Sequence, residues 1–114
     1  MNAHCLDAPP SLFDEVDDIF AASDLCAVER HRESRVKGVR RLDTAEFDVA
    51  DDSCRVDVLL ERRLGNNRMS VIVAPRRKWF SRRGHDSELL ARRVVDLLVQ
   101  HKSADNQVVQ RSTA

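Results

Sequence analysis

One stretch of the chain combines residue types and spacing that suggest chemistry: Arg76-Arg77-Lys78-Trp79-Phe80-Ser81-Arg82-Arg83. Five cations and an indole fall within eight residues, just ahead of an apolar-periodic run that reads as a helix. Arginine binds phosphate and carboxylate through paired N–H groups. A tryptophan can stack on a base, and a helix start adds backbone donors for an anion. Arg76, Arg77, Lys78, Trp79, Arg82 and Arg83 are therefore the candidate partner- or anion-binding residues. The competing reading is a solvated loop in which Trp79 and Phe80 anchor to the sheet edge while the arginines stay wet; such basic patches often turn out to be nothing more.

Other reactive residues lack the spacing their chemistry needs. His4, Cys5, Cys26, His31, Cys54 and His85 are metal-ligand types, but none forms the close C-x-x-C or H-x-x-x-H pairs of a zinc site. Cys26 and Cys54 read instead as small buried apolar residues. His85-Asp86-Ser87 holds the three residue types of a hydrolase triad, yet triad partners meet in space from distant positions, and a helix cap explains the stretch better. Asp51-Asp52 fits a turn. With only Gly38, Gly65 and Gly84 in the chain, there is no glycine-rich phosphate loop. No catalytic, cofactor-binding or metal-ligating residue is assigned, and the expectation is a protein that is not an enzyme and carries no cofactor.

The elements that position the basic stretch centre on residues 54–80. Val56, Val58, Leu60 and Leu64 alternate with Arg55, Asp57, Glu61 and Arg63, the period of a half-buried strand; Leu59 and Arg62 interrupt the pattern. Gly65-Asn66-Asn67 suits a tight turn. Met69, Val71 and Val73 then line one face of a returning strand. A two-residue loop at Asn66-Asn67 would pair Leu64 with Met69, Arg62 with Val71 and Leu60 with Val73, keeping apolar residues mostly on one side. Pro75 has no amide to donate and should end the strand or place it at an edge.

Ahead of the hairpin, residues 1–10 read as a flexible lead. Ser11 suits an N-cap, with Asp14 completing a capping-box-like pair. Leu12, Phe13, Val16, Ile19 and Phe20 form an apolar helical stripe. Asp14, Glu15, Asp17 and Asp18 lie opposite, near the helix start where the macrodipole favours acids. The helix runs to about residue 22, then either breaks at Ser23-Asp24 or continues to about His31. Between Glu29 and Leu42 the pattern fits a helix or a short strand equally. Ala45, Phe47 and Val49 read as a strand, and residues 50–53 as a turn. After a loop over residues 81–85, Asp86 or Ser87 caps a final helix carrying Leu89, Leu90, Val94, Val95, Leu97, Leu98 and Val99 and ending near Lys102. Residues 103–114 read as a disordered tail.

The expected fold is thus an α+β two-layer sandwich. Its order is helix, three (or four) antiparallel strands, helix, with both helices on one face of the sheet. Residues 11–102 make a single domain. Leu59 and Ile72 would fall on the face away from the helices, among Arg55, Asp57, Glu61, Arg63, Arg68 and Ser70. That pair motivates the expectation of a homodimer.

Helix–three strands–helix resembles the layout of the double-stranded-RNA-binding domain, of a family of small nucleoid-associated DNA-binding proteins, and of dimeric secretion chaperones, which bind proteins. In the first of these a lysine-rich segment opens the last helix, where this chain has Ser87-Glu88-Leu89-Leu90-Ala91-Arg92. Nucleic acid and protein are both implied as partners by this shared layout.

Charge narrows the partner. The formal net charge is zero, which argues against coating nucleic acid by bulk charge. Charge instead comes in blocks: six acids and no base over residues 1–24, then six bases against two acids over residues 29–41. Six acids against one base follow over residues 43–57, and eight bases against one acid over residues 61–83. Such blocks face one another within a fold or present separate charged surfaces to partners. A protein-binding module (adaptor, chaperone or inhibitor) using the sheet face, the acidic helix or the basic loop fits them best. The alternative is nucleic-acid binding through the 76–83 loop, aided by Arg30, Arg32, Arg35, Arg40 and Arg41. Three widely spaced cysteines suggest a reducing compartment. No apolar run approaches a membrane span and no secretory leader is visible, so the expected location is cytoplasmic.

Overall fold

The computed structural model of the chain describes residues 3–75, 84–100 and 109–110. It is an α+β fold with an antiparallel sheet and two helices. In chain order the elements are β1 (His4–Ala8), α1 (Leu12–Ala21), β2 (Cys26–Lys37), β3 (Arg40–Ala50), β4 (Arg55–Arg63), β5 (Met69–Pro75), α2 (Gly84–Gln100) and the short β6 (Val109–Gln110). The sheet order is β2-β3-β4-β5-β1-β6.

The sheet has two sides because its strands alternate. Ala45, Phe47 and Val49 of β3, Val56, Val58 and Leu60 of β4, Met69, Val71 and Val73 of β5, and Leu6 and Ala8 of β1 are all buried. They join Leu12, Phe13, Val16, Ile19 and Phe20 of α1 and Leu90, Ala91, Val94, Val95 and Leu98 of α2 in one core. Phe20 meets Phe47 edge-on at 5.6 Å, the edge-to-face arrangement aromatic pairs favour. The opposite side carries Glu46, Asp48, Asp57, Glu61, Leu59 and Ile72, with Leu59 directly across from Ile72.

Several expectations change. A strand precedes the first helix: residues 4–8, expected in a flexible lead, pair with β5 from His4↔Val73 to Ala8↔Met69. Leu6 and Ala8 supply the reason, since both are buried in the core. Most of the expected tail lies outside the described residues, but Val109 and Gln110 pair with β1. Residues 26–37 are strand throughout, so the helical alternative for that region is excluded.

The α1 capping box does not form. Ser11 has helical φ and ψ and makes no side-chain cap bond. The first amides donate instead to the carbonyls of Pro9 and Pro10, at 3.0 and 3.2 Å. At the other end Ser23 stops the helix: its hydroxyl donates to the Phe20 carbonyl at 2.7 Å and accepts from the Leu25 amide at 3.2 Å. The final helix begins at Gly84 rather than at residues 86–87, and Ser87 is buried within it.

The β4–β5 hairpin adopts a different register from the one expected. Leu60 pairs with Val71 and Val58 with Val73, a slip of two residues from the Leu60–Val73 pairing. Because side chains alternate with period two, a slip of two keeps the same residues inward. Gly65 opens the wider loop with φ +91°. In the β2–β3 hairpin, Lys37 pairs with Arg40, so Gly38-Val39 is a two-residue turn. Gly38 has φ +63° and Val39 does not have positive φ, the arrangement of a type II′ turn with Gly at its first central position.

Candidate functional site: a basic hairpin end

Both hairpin turns fall at one end of the sheet, and this end gathers arginines from three strands. Arg35 pairs with Leu42, and Leu42 in turn with Arg63. Lys37 and Arg40 form the last pair before the turn. By alternation Arg35, Lys37, Arg40 and Arg63 all lie on the side of the sheet away from the core. Together with Val39 and Leu64 they line a hollow of about 550 Å³. Val39 and Leu64 expose 93% and 69% of their surface, so aliphatic groups stand among the cations.

The charges here are only partly neutralised. Glu33 receives Arg35 Nε at 2.6 Å and bonds His31 Nε2 at 3.0 Å. Hydrogen bonds from Arg35, then from His31, hold the Glu33 carboxyl below its usual range. Among the described residues, Lys37, Arg40 and Arg63 make no ion pair.

The core-facing side of the same end is arranged differently. Asp43, only 7% exposed in its side chain, accepts from Ser34 Oγ at 2.5 Å, Arg41 Nε at 3.0 Å, and Arg62 Nε and Nη2 at 3.1 and 3.0 Å. Burial alone would raise its pKa, but the hydrogen bonds from Ser34, Arg62 and Arg41 prevail and lower it. Arg62 also reaches Asp14 Oδ2 at 3.0 Å and the Pro10 carbonyl at 3.3 Å. Its guanidinium lies 4.5 Å from the Phe13 ring centroid, and that of Arg32 lies 5.2 Å from it. These contacts tie β3 and β4 to the start of α1.

Of the residues singled out in sequence, Arg76, Arg77, Lys78, Trp79, Arg82 and Arg83 lie outside the described residues. The strand leading to them, β5, reaches Pro75 opposite Val56, at the end of the sheet remote from Gly38. Arg35, Arg40 and Arg41, expected only as auxiliaries, come together at the hairpin end. Arg30 instead approaches Asp57 at 3.7 Å, and Arg32 binds Glu29 and Asp17 at 2.6 and 3.1 Å. Lys37 carried no expectation, and Arg63 was expected only as part of the outer sheet face. A two-residue turn at Gly38-Val39 would have revealed Lys37, by placing it across from Arg40.

The remaining reactive residues are dispersed. His4 Nε2 bonds Glu88 Oε1 at 2.9 Å, joining β1 to α2. All three thiols are free; Cys54 is buried, but Cys26 is exposed, contrary to expectation. Asp51 closes the β3–β4 turn by accepting the Ser53 and Cys54 amides at 2.9 and 2.7 Å. Among the described residues no group of three or more His, Cys, Asp or Glu is placed to hold a metal ion, and no helix is long and apolar enough to cross a membrane. No protein-family model, curated protein or solved structure matches the chain.

Proposed function

We propose that this chain is a small non-enzymatic module that binds another protein, and that it does so at the basic hairpin end. The observation that carries the reading is the shared hollow, in which Arg35, Lys37, Arg40 and Arg63 surround exposed Val39 and Leu64. Cations interleaved with aliphatic groups suit a partner segment that is acidic and partly apolar. Apolar contact supplies affinity, and complementary charge supplies orientation and on-rate. Phe13, Phe20 and Phe47 are all buried, so the described phenylalanines offer no base-stacking platform. Three free thiols accord with a reducing, cytoplasmic setting.

A second reading is nucleic-acid binding. The observation in its favour is the tip of the β2–β3 hairpin, which gathers Lys37, Arg40 and Arg41 as cations for phosphate contacts. A homodimer through Leu59 and Ile72 is a separate proposal, and a monomeric mass in solution at micromolar concentration rejects it.

Titration against a synthetic acidic, partly apolar peptide and against a short duplex, each at low and moderate salt, separates the two partner classes. Peptide binding that survives moderate salt and is lost in the Lys37→Glu/Arg40→Glu variant supports the protein reading. Duplex binding whose log affinity falls steeply and linearly with log salt, with none for the peptide, replaces it with the nucleic-acid reading.

A further inference from the structure

Strand β2 is a sheet edge twelve residues long, about 40 Å at the usual rise per residue. Only Ala27 and Glu33 along it are even half-buried. Its one strand neighbour is β3, so about half of its backbone N–H and C=O groups point away from the sheet with no ladder to join. The opposite edge is covered differently, with β6 pairing onto β1.

Long edges invite pairing with other strands, and proteins blunt them with charge and bulges. Here both devices are selective. The bulge between Glu29 and His31 divides the strand, and residues 31–37 are the longer of its two regularly paired runs. Over its whole length β2 holds four cations, Arg30, Arg32, Arg35 and Lys37, against Glu29 and Glu33, with Arg40 and Arg41 just beyond the turn. With four cations against two acids, a second copy of β2 meets net repulsion. An acidic strand does not.

We infer that β2 is a receptor edge, and that an extended acidic segment of the partner protein adds to residues 31–37 as a further strand. The inference rests on the protein-binding reading and specifies its mode. Backbone bonds to β2 supply affinity, and alternating side chains supply selection. Acidic side chains on one face of the added strand meet Arg35 and Lys37, which share that side of the sheet. Apolar side chains on the other face meet Val36, which is 69% exposed. The segment thus alternates acidic and aliphatic residues, and its end reaches the hollow at the hairpin tips.

The test uses the full chain and two synthetic peptides that alternate Glu and Val, one of them N-methylated on alternate backbone amides. Affinity and amide exchange along β2 are both measured. The expected result is binding of the unmodified peptide with slowed exchange confined to the outward amides of residues 31–37. N-methylation should weaken binding about tenfold for each bond it blocks. Equal binding of both peptides with unchanged β2 exchange overturns strand addition and leaves the hairpin-end reading standing. Failure of both peptides to bind overturns both.

Discussion

The two sides of the hairpin end put the same residue types to opposite uses. On the core side, Arg41 and Arg62 converge with Ser34 on Asp43, and Arg62 covers Phe13. On the far side, Arg35, Lys37, Arg40 and Arg63 stand around a hollow, and the acid among them, Glu33, answers Arg35 and His31. Strand alternation alone sorts them: Arg62 and Arg63 are adjacent in sequence and fall on opposite faces. A guanidinium facing the core must be neutralised and hydrogen-bonded or it destabilises the fold. One facing solvent carries no such requirement and remains available to a partner. The comparison therefore separates arginines that hold the protein together from those that can act.

The largest effect should come from the core side. Asp43→Ala leaves Arg41 and Arg62 without their shared acceptor in a site that is 7% exposed at the carboxylate. Arg62 keeps Asp14 and the Pro10 carbonyl, so the loss of the hydrogen bonds to Asp43 costs about 2 kcal/mol, read as a lower urea midpoint at unchanged slope. A loss as small as that of a surface variant would erase the distinction between the two faces.

Acid should test the core-side contacts as well. The Asp43 carboxyl titrates lower in the folded chain than in the unfolded one, because the hydrogen bonds from Ser34, Arg62 and Arg41 outweigh its burial. The Asp51 carboxyl shifts the same way, through the Ser53 amide first, with the Cys54 amide also contributing. A depressed folded pKa gives stability that is complete above the unfolded value, about pH 4. That stability is lost as pH falls through the folded value. Asp43→Asn should flatten the acid limb of the stability curve below about pH 4 while leaving the neutral-to-alkaline limb parallel to that of the parent chain. An unchanged acid limb would show that the carboxylate is not held by these bonds.

How much of this arrangement was legible depended on burial. The β4–β5 region reads correctly by face because Val56, Val58, Leu60, Val71 and Val73 each have a dry side. The register slipped by two because Gly65-Asn66-Asn67 admits more than one loop, and a two-residue slip leaves the same residues inward. Strand β2 was not legible: an exposed edge has no dry side to impose alternation, so Glu29 to Lys37 shows no period of two. Val36, Val39 and Leu42 matched helical spacing by coincidence, since they straddle the Gly38 turn. Strand β1 escaped notice because only Leu6 and Ala8 carry its inward signal, too few for a periodic pattern. The candidate site was legible as composition, in the basic block over residues 29–41, and not as geometry, which needed the turn at Gly38.

That turn sets the position of Lys37 and Arg40, so it offers an intermediate perturbation. Gly38 has φ +63°, and no atom lies within 4 Å of where a Cβ would stand, so Gly38→Ala meets strain but no clash. The expected cost is about 1 kcal/mol, with peptide affinity falling because Lys37 and Arg40 lose their fixed spacing. Affinity retained at reduced stability would mean that the cations act as a diffuse field and not as a positioned set.

The smallest effect on stability and the largest on binding should coincide in Lys37→Glu/Arg40→Glu. Neither residue makes an ion pair among the described residues, and neither contributes to the core. The urea midpoint should therefore stay where it is, as for surface changes remote from caps and pairs. Acidic-peptide binding should disappear, because the reversed charges now repel the ligand at the mouth of the hollow. If the midpoint drops instead, Lys37 and Arg40 belong with Arg62 among the cations that hold the fold. The division between the two faces would then be one of exposure and not of role.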